Sequence, residues 1–442
     1  MSDLDTGTTA PAPARAVAEP ANDDADRGIL DDLAALAPAR LPTDEAHRTA
    51  DEDEQRETVT INLGPHHPST HGVLRLITEL DGETVVSVRP VTGYLHTGIE
   101  KQAEQKTYWQ AIPVLERADY LSYHHNELVF CRAAERLLDL EVPRKARWLR
   151  VLFCELQRMQ SHFVWFGTSA LDIGAMSPVF WAFAQRDRIL ELFEMTGGQR
   201  MHPHYFQVGG VQDDVPRGFY RKASEFLAEI ADRVDEWDGL LTHNKIWTER
   251  TIGVGVMTAD ECLLYGVTGP RLRAAGLPWD LRKDMPYEAY GEFEFDIPTF
   301  TGGDVYDSYR IRIAEIRQSL DICRQVIDGM PEGPFIADDR KVVLPPRHEL
   351  HTSMEAVIHH FKLVTHGFDV PAGEVYEAIE SPRGELGCYL VADGGPKPFR
   401  VHLRAPSFAN LGALDPISRG NLIADLVAIL GSLDTVLGDV DR

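Results

Sequence analysis

The stretch RKARWLRVLFCELQRMQSHFVWFGT, residues 144–168, carries apolar side chains on nearly every face of a helix. A helix with no side suited to water lies inside a bundle rather than on its surface. Helical spacing recurs at 99–110, 116–139, 178–196 and 216–242. It returns at Tyr309–Asp328, at His351–Val364 and in a final helix over Ser418–Leu430. Pro143 and Pro178 stand at helix starts, where a missing N–H costs nothing. Three arginines of one long segment, Arg147, Arg150 and Arg158, suit either a partner interface or a solvated face.

Strand signals are confined to two places. Thr58–Leu63 alternates, and Val73–Leu80 and Thr84–Val88 flank Asp81-Gly82, a two-residue hairpin signal. Segments 374–380, 385–392 and 398–403 read as strands, with a turn at Asp393-Gly394-Gly395. Residues 243–309, rich in Gly and Pro, read as loops, and no internal repeat is present. The expected class is α+β: mainly a helical bundle, with a small N-terminal β domain and a β-hairpin portion near the C-terminus. The expected division is a disordered acidic arm over 1–57, a β domain over 58–97, and a bundle core over 98–442 with inserted loops and C-terminal β-hairpins.

Charge and cysteine usage exclude several functions. Residues 1–57 hold 15 Asp/Glu against 5 Arg, a large share of the formal −25 of the whole chain. An acidic balance opposes nucleic acid and anionic lipid, because phosphates are repelled. Within the arm only Ile29–Leu36 suggests a short helix, ended by Pro38. The five cysteines (Cys131, Cys154, Cys262, Cys323, Cys388) are scattered without a Cys-x-x-Cys pair. Metal and cluster sites announce themselves by close thiolates, so these read as buried thiols in a reducing compartment, and no metal site is expected. The N-terminus has neither the basic nor the apolar stretch of a secretory signal, and no apolar run reaches transmembrane length. A chain that is soluble, or peripheral to a membrane through partners, is expected.

Three short segments carry groups able to do chemistry. Asn62-Leu-Gly-Pro-His-His-Pro-Ser-Thr-His-Gly72 sets His66, His67 and His71 on a loop between strands. Pro68 disfavours the helix that an i,i+4 metal pair from His67 and His71 would need, so hydrogen bonding and proton transfer are the better uses. Arg117-Ala-Asp-Tyr-Leu-Ser-Tyr-His-His-Asn126 contains Tyr120. Leu171-Asp-Ile-Gly-Ala-Met-Ser-Pro178 places Asp172 in an apolar stretch, where a carboxylate needs a partner. Spacing alone does not connect the three.

The segments GPHHPSTHGVLRL, GYLHTGIEK, KTYWQAIPVLERADYLSY, ALDIGAMSPVFW, GGVQDDVP, WDLRK, TSMEAVIHHFKL and SPRGELGCYLVADG, then GDVDR, follow in this order across residues 58–442. Together they resemble the 49-kDa (D-type) subunit family of complex I, the proton-translocating NADH–quinone oxidoreductase. The resemblance implies a subunit that forms the end of a quinone tunnel, with no complete active site in this chain alone. It implies that His71 and Tyr120 hydrogen-bond the two quinone carbonyls, that Asp172 pairs with His71, and that His67 and Thr168 line the same chamber. No cofactor is implied for this chain: the 4Fe–4S clusters, FMN and NADH belong to partner subunits. Those partners are a terminal-cluster subunit, a 30-kDa-type (C-type) subunit, a ferredoxin-like subunit and a membrane-embedded (H-type) subunit. The implied location is peripheral, on the cytoplasmic side of the cell membrane. Many family members read His-Arg-Gly where this chain has His96-Thr97-Gly98, so Thr97 removes a positive charge near the partner's terminal cluster and implies a lower potential there.

The same family resembles the large subunits of nickel–iron hydrogenases, which share its bundle and hold metal with two Cys-x-x-Cys pairs. Those four positions are Asp119, Ser122, Val436 and Asp439 here, so every soft ligand is missing. Two further readings are a scaffold without chemistry, in which Tyr120 and His71 are merely structural, and a related membrane complex with another electron input.

Overall fold

The longest helix of the computed structural model, α2 (Arg144–Asp172), has every residue from Trp148 to Phe163 buried, as its all-round apolar sequence requires. The structure describes residues 57–442; the acidic arm and the short helix expected at Ile29–Leu36 lie outside them. The other principal helices are α1 (Tyr123–Leu138), α3 (Ser177–Gly197), α4 (Phe219–Leu241), α5 (Val305–Gly329), α6 (Met354–Thr365), α7 (Ile423–Ser432) and α8 (Leu437–Asp441). Helix α2 packs along α3 and α5, and Gly167 permits the first contact: a Cβ there would lie 2.9 Å from the Val179 Cα.

Burial reaches the charged residues of α2 as well, because each finds a partner. Arg150 pairs with Glu135 and Glu288, and Glu155 accepts from Tyr290 at 2.7 Å and Ser319 at 2.6 Å. Arg158 donates to the Glu380 carbonyl at 2.7 Å. Arg150 and Arg158 are therefore neither partner-facing nor solvated, and only Arg147 of the three keeps partial exposure.

The expected continuous helix over 116–139 breaks. Residues 116–122 form turns before α1 begins, because the Asp119 carboxylate accepts the Leu121 N–H at 3.1 Å and competes with the helix ladder. The segment over 99–110 likewise divides into Ile99–Glu104 and Tyr108–Leu115, with Thr107 capping the second. The final helix expected over Ser418–Leu430 begins only at Ile423, after Gly420 at φ 77°, and a separate short helix, Leu414–Ser418, precedes it. The loop-rich stretch 243–309 holds short helices at Lys245–Thr251, Ala259–Tyr265, Pro270–Ala274 and Leu281–Asp284. Most of them start at a side-chain cap (Asn244, Thr258 or Asp280), and all are too short for periodicity to reveal.

Strands β1 (Thr58–Leu63), β2 (Arg75–Asp81) and β3 (Thr84–Val91) form an antiparallel meander, with Asp81 pairing Thr84 across Gly82-Glu83. Strands β4 (Gly373–Ser381), β5 (Gly384–Ala392) and β6 (Arg400–Arg404) form a second one. Leu74, Leu76, Val85 and Val88 of the first sheet share one apolar cluster with Leu414, Leu426, Ile429 and Leu437. That shared core brings the histidine loop between β1 and β2 to the C-terminal helices. All five cysteines are buried free thiols.

Candidate functional site

The loop after β1 folds on itself. Pro68–Thr70 make one 3₁₀ turn, and the Thr70 hydroxyl donates to the His67 carbonyl at 2.9 Å. The His67 Nδ1 accepts the Ser69 N–H at 3.2 Å, and the Ser69 hydroxyl lies 2.6 Å from the same nitrogen. An Nδ1 that accepts leaves Nε2 as the ring's donor. His71 ends the turn in the left-handed region at φ 53°, with its N–H on the Pro68 carbonyl at 3.0 Å. This conformation is costly for a residue with a Cβ. The turn rests on α7.

Tyr120 rides on the turn at residues 116–122 and stands against α8. A Cβ at Gly438 would meet the Ala118 carbonyl oxygen at 2.5 Å and the Tyr120 ring at 3.3 Å, so only glycine lets the two segments close. Burial pushes the Tyr120 phenol above its ordinary value; Asp119 adds to this, and Arg383 opposes it.

Between these elements lies a charge cluster that the sequence reading did not connect. Arg383, buried on the loop between β4 and β5, donates from Nη1 to Asp119 Oδ2 at 2.8 Å and from Nε to the Asp434 carbonyl at 3.0 Å. Its Nη2 lies 3.6 Å from Asp434 Oδ1, and Asp439 is also within its field. His71 answers to the same two groups: burial lowers its proton affinity, Asp434 raises it and Arg383 lowers it. His71 and Tyr120, distant in sequence, thus lie within the field of one guanidinium and one carboxylate. The only sequence signal for Arg383 was the Pro-Arg-Gly between two alternating runs. Asp119 and Asp439, at two of the hydrogenase thiolate positions, converge on this cation. Ser122 bonds His125 Nδ1 at 2.9 Å, and the Val436 N–H bonds the Ser407 hydroxyl at 3.3 Å.

Asp172 closes α2. Burial pushes its carboxyl up and His67 beside it pulls back, so its electrostatic partner is His67. The expected Asp172–His71 pair is not made: no hydrogen bond or ion pair joins them among the described residues, and His71 faces Asp434 instead. Asp172 and His71 are both exposed to solvent, and nearby protein lowers the proton affinity of His71 and raises that of Asp172. Thr168 lies one turn earlier on α2, half-buried, its hydroxyl donating to the Val164 carbonyl at 2.9 Å. Only its lone pairs remain for a ligand. Thr97 is exposed, its carbonyl accepting from Gln102 at 2.6 Å.

A second cluster, around the buried Glu116 and Glu127, begins at the start of the Tyr120 turn. His202 and His204 stand 3.8 Å and 3.7 Å from the two oxygens of Glu116, and Glu127 accepts the Phe206 N–H at 2.8 Å. Burial raises both Glu116 and Glu127, the charge of Glu127 adds to the rise of Glu116, and burial lowers His202 and His204 to about 4. Among the described residues no group of three or more His, Cys, Asp or Glu has the geometry to hold a metal ion. No helix there is long and apolar enough to cross a membrane.

Comparison with known proteins gives one consistent result. The family model for the 49 Kd subunit of respiratory-chain NADH dehydrogenase matches residues 172–442. The second D-type subunit of NADH-quinone oxidoreductase from Chloroflexus aurantiacus is 53% identical over 389 residues, 87% of this chain and 95% of its own length. The first D-type subunit from Solibacter usitatus is 53% identical over 384 residues, 87% of this chain and 94% of its own. The D-type subunit from Geobacter sulfurreducens is 47% identical over 386 residues, 87% of this chain and 99% of its own.

Proposed function

The chain belongs to the 49-kDa (D-type) subunit family of respiratory-chain NADH–quinone oxidoreductase, and on that premise we propose that it forms part of the quinone-reduction pocket of its complex. The single observation that carries this reading is that the His71 turn rests on α7 and the Tyr120 turn on α8, with Arg383 bonded to Asp119 and to the Asp434 segment between those two helices. Two proton-bearing groups brought to one end of the fold are what a quinone needs, since two electrons on its two carbonyl oxygens call for two protons.

In this reading the Tyr120 hydroxyl and the His71 ring each hydrogen-bond one carbonyl. The phenol's raised proton affinity keeps it protonated until charge develops on the quinone oxygen. Asp434 favours the imidazolium of His71 at the moment a proton is needed. His67, held by Ser69 and facing Asp172, presents Nε2 to the same chamber, which Thr168 also lines. A 4Fe–4S cluster on the neighbouring subunit supplies the electrons, so the chain alone has no complete active site. The terminal-cluster subunit, the 30-kDa-type subunit, the ferredoxin-like subunit and the membrane-embedded H-type subunit are its partners, on the cytoplasmic face of the membrane.

The test is Tyr120→Phe in the assembled complex, comparing NADH–quinone with NADH–ferricyanide activity. The expected result is a fall in quinone reduction of roughly a hundredfold or more, with ferricyanide reduction intact. Unchanged quinone reduction overturns the reading in favour of a scaffold.

A further inference from the structure

Arg383 sits on the two-residue loop between β4 and β5, and its backbone is pinned on all sides. Ser381 pairs with Gly384, the Ser381 hydroxyl donates to the Gly384 carbonyl at 2.9 Å, and Asn410 Nδ2 donates to the Arg383 carbonyl at 3.2 Å. A Cβ on Gly384 would fall 2.4 Å from Thr268 Oγ1, and one on Gly269 would fall 2.5 Å from the Gly384 Cα. The hairpin tip is thus wedged backbone to backbone, and the guanidinium it carries has little freedom.

From that fixed base the side chain reaches two distant segments. One contact is the 2.8 Å hydrogen bond to Asp119, the residue before Tyr120. The other is the 3.0 Å hydrogen bond to the Asp434 carbonyl, just ahead of α8, whose Gly438 receives the Tyr120 turn. We propose that Arg383 is a positioning residue for quinone reduction: its buried guanidinium ties the Tyr120 turn to the Asp434 segment between α8 and α7, the helix on which the His71 turn rests, and so fixes the Tyr120 phenol relative to the His71 loop. This rests on the quinone reading above and assigns Arg383 no contact with the quinone itself.

The charges around this arrangement are few. Asp119, Asp434, Asp439 and the Tyr120 phenol face Arg383. Asp434 and Arg383 face His71, with His66 and His67 on its own loop and Arg312 behind Asp434 at 4.0 Å. Asp119 has its ion pair with Arg383, so removing the guanidinium leaves a buried carboxylate unpaired.

The experiment uses the assembled complex, with NADH–ferricyanide activity as the measure of assembly, and compares Arg383→Gln, Arg383→Lys and Asp434→Asn. With Arg383→Gln, kcat for quinone falls on the order of 10–100-fold relative to ferricyanide, while KM changes little. The alkaline limb of quinone reduction moves to higher pH, because the guanidinium no longer opposes protonation of His71. Asp434→Asn moves that limb the opposite way. Arg383→Lys keeps the limb near its original place, because the charge remains, but leaves kcat low, because an ammonium cannot span both partners. A quinone rate that holds in the assembled Arg383 variants, or limbs that stay still or move the same way in both substitutions, overturn the proposal. Should Arg383→Gln fail to assemble, Arg383→Lys carries the rate test and Asp434→Asn the pH test, with the same overturning results. If Tyr120→Phe spares quinone reduction, the quinone reading itself has failed. If only the Arg383 variants are silent, the positioning role alone has failed.

Discussion

Gly438 and Ala118 meet so closely that a Cβ on the first would stand 2.5 Å from the carbonyl oxygen of the second. Backbone cannot yield as a side-chain tip can, so Gly438→Ala must push α8 and the Tyr120 turn apart. The expected cost is about 1–3 kcal/mol of stability, as for other overpacked sites. Quinone reduction should fall on the order of 10–100-fold, because displacement of the phenol is felt directly. Thermal denaturation together with the two NADH assays checks this. Gly412→Ala, at a position where a Cβ meets nothing within 4 Å, is the control and should leave both unchanged.

Asp172 and His67 give the second prediction. His67 holds the Asp172 carboxyl below where burial alone would put it. His67→Ala therefore lets that carboxyl rise further, so Asp172 becomes protonated at a higher pH. If the carboxylate is needed, the acidic limb of quinone reduction moves to higher pH in this variant. The pH profile of NADH–quinone activity decides the matter. A limb that stays in place would say that Asp172 does not set it.

Much of this was legible in advance, for reasons that can be named. Helix α2 announces itself because a segment apolar on all sides has only one place to go, and the Asp81-Gly82 turn and the alternation in β5 are equally local signals. The turn that carries Tyr120 was not legible. Residues 116–139 keep helical spacing throughout, and the break comes from one carboxylate bonding a backbone N–H two residues on. Arg383 was hidden for a different reason. Its importance lies in Asp119 and Asp434, distant along the chain in opposite directions, and no periodicity reports a contact of that range. The Asp172–His71 pair, implied by the resemblance, is likewise beyond what spacing reports, since it does not tell which of three histidines on one loop stands beside a given helix end.

The Glu116–Glu127 pair gives a prediction about stability and pH. Burial raises both carboxyls, so in the folded state Glu127 holds a proton that the unfolded chain would release above its ordinary value of 4.5. Its contribution to stability is complete below that value, shrinks as pH rises, and is lost through the raised folded value. Glu127→Gln, which keeps an oxygen for the Phe206 N–H but has no proton to lose, should flatten the alkaline decline. Urea denaturation at a series of pH values between 6 and about 9 measures this. Equal slopes in the two proteins would mean that Glu127 is ionised in the fold.

Arg273 is a buried cation shared among three carboxylates. It donates from Nε to Glu315 at 2.9 Å, and from Nη1 to Glu380 at 2.8 Å and to the Trp279 carbonyl at 2.9 Å; Asp280 lies 3.4 Å away. Glu315 has His162 as its other partner, at 2.9 Å, and Arg273 is the main reason its carboxyl lies far below the ordinary range despite burial. Arg273→Met leaves Glu315, Glu380 and Asp280 with too little positive charge between α2, α5 and β4. Breaking a buried pair from one side costs about 3–5 kcal/mol. The double variant Arg273→Met with Glu315→Gln should cost less than the sum of its parts, because the second change removes the charge that the first left stranded. Chemical denaturation of the wild type, both single variants and the double variant closes the cycle. A loss below about 1 kcal/mol for Arg273→Met would show that water or a local rearrangement replaces the guanidinium. Additive losses would show that Arg273 and Glu315 stabilise the bundle independently.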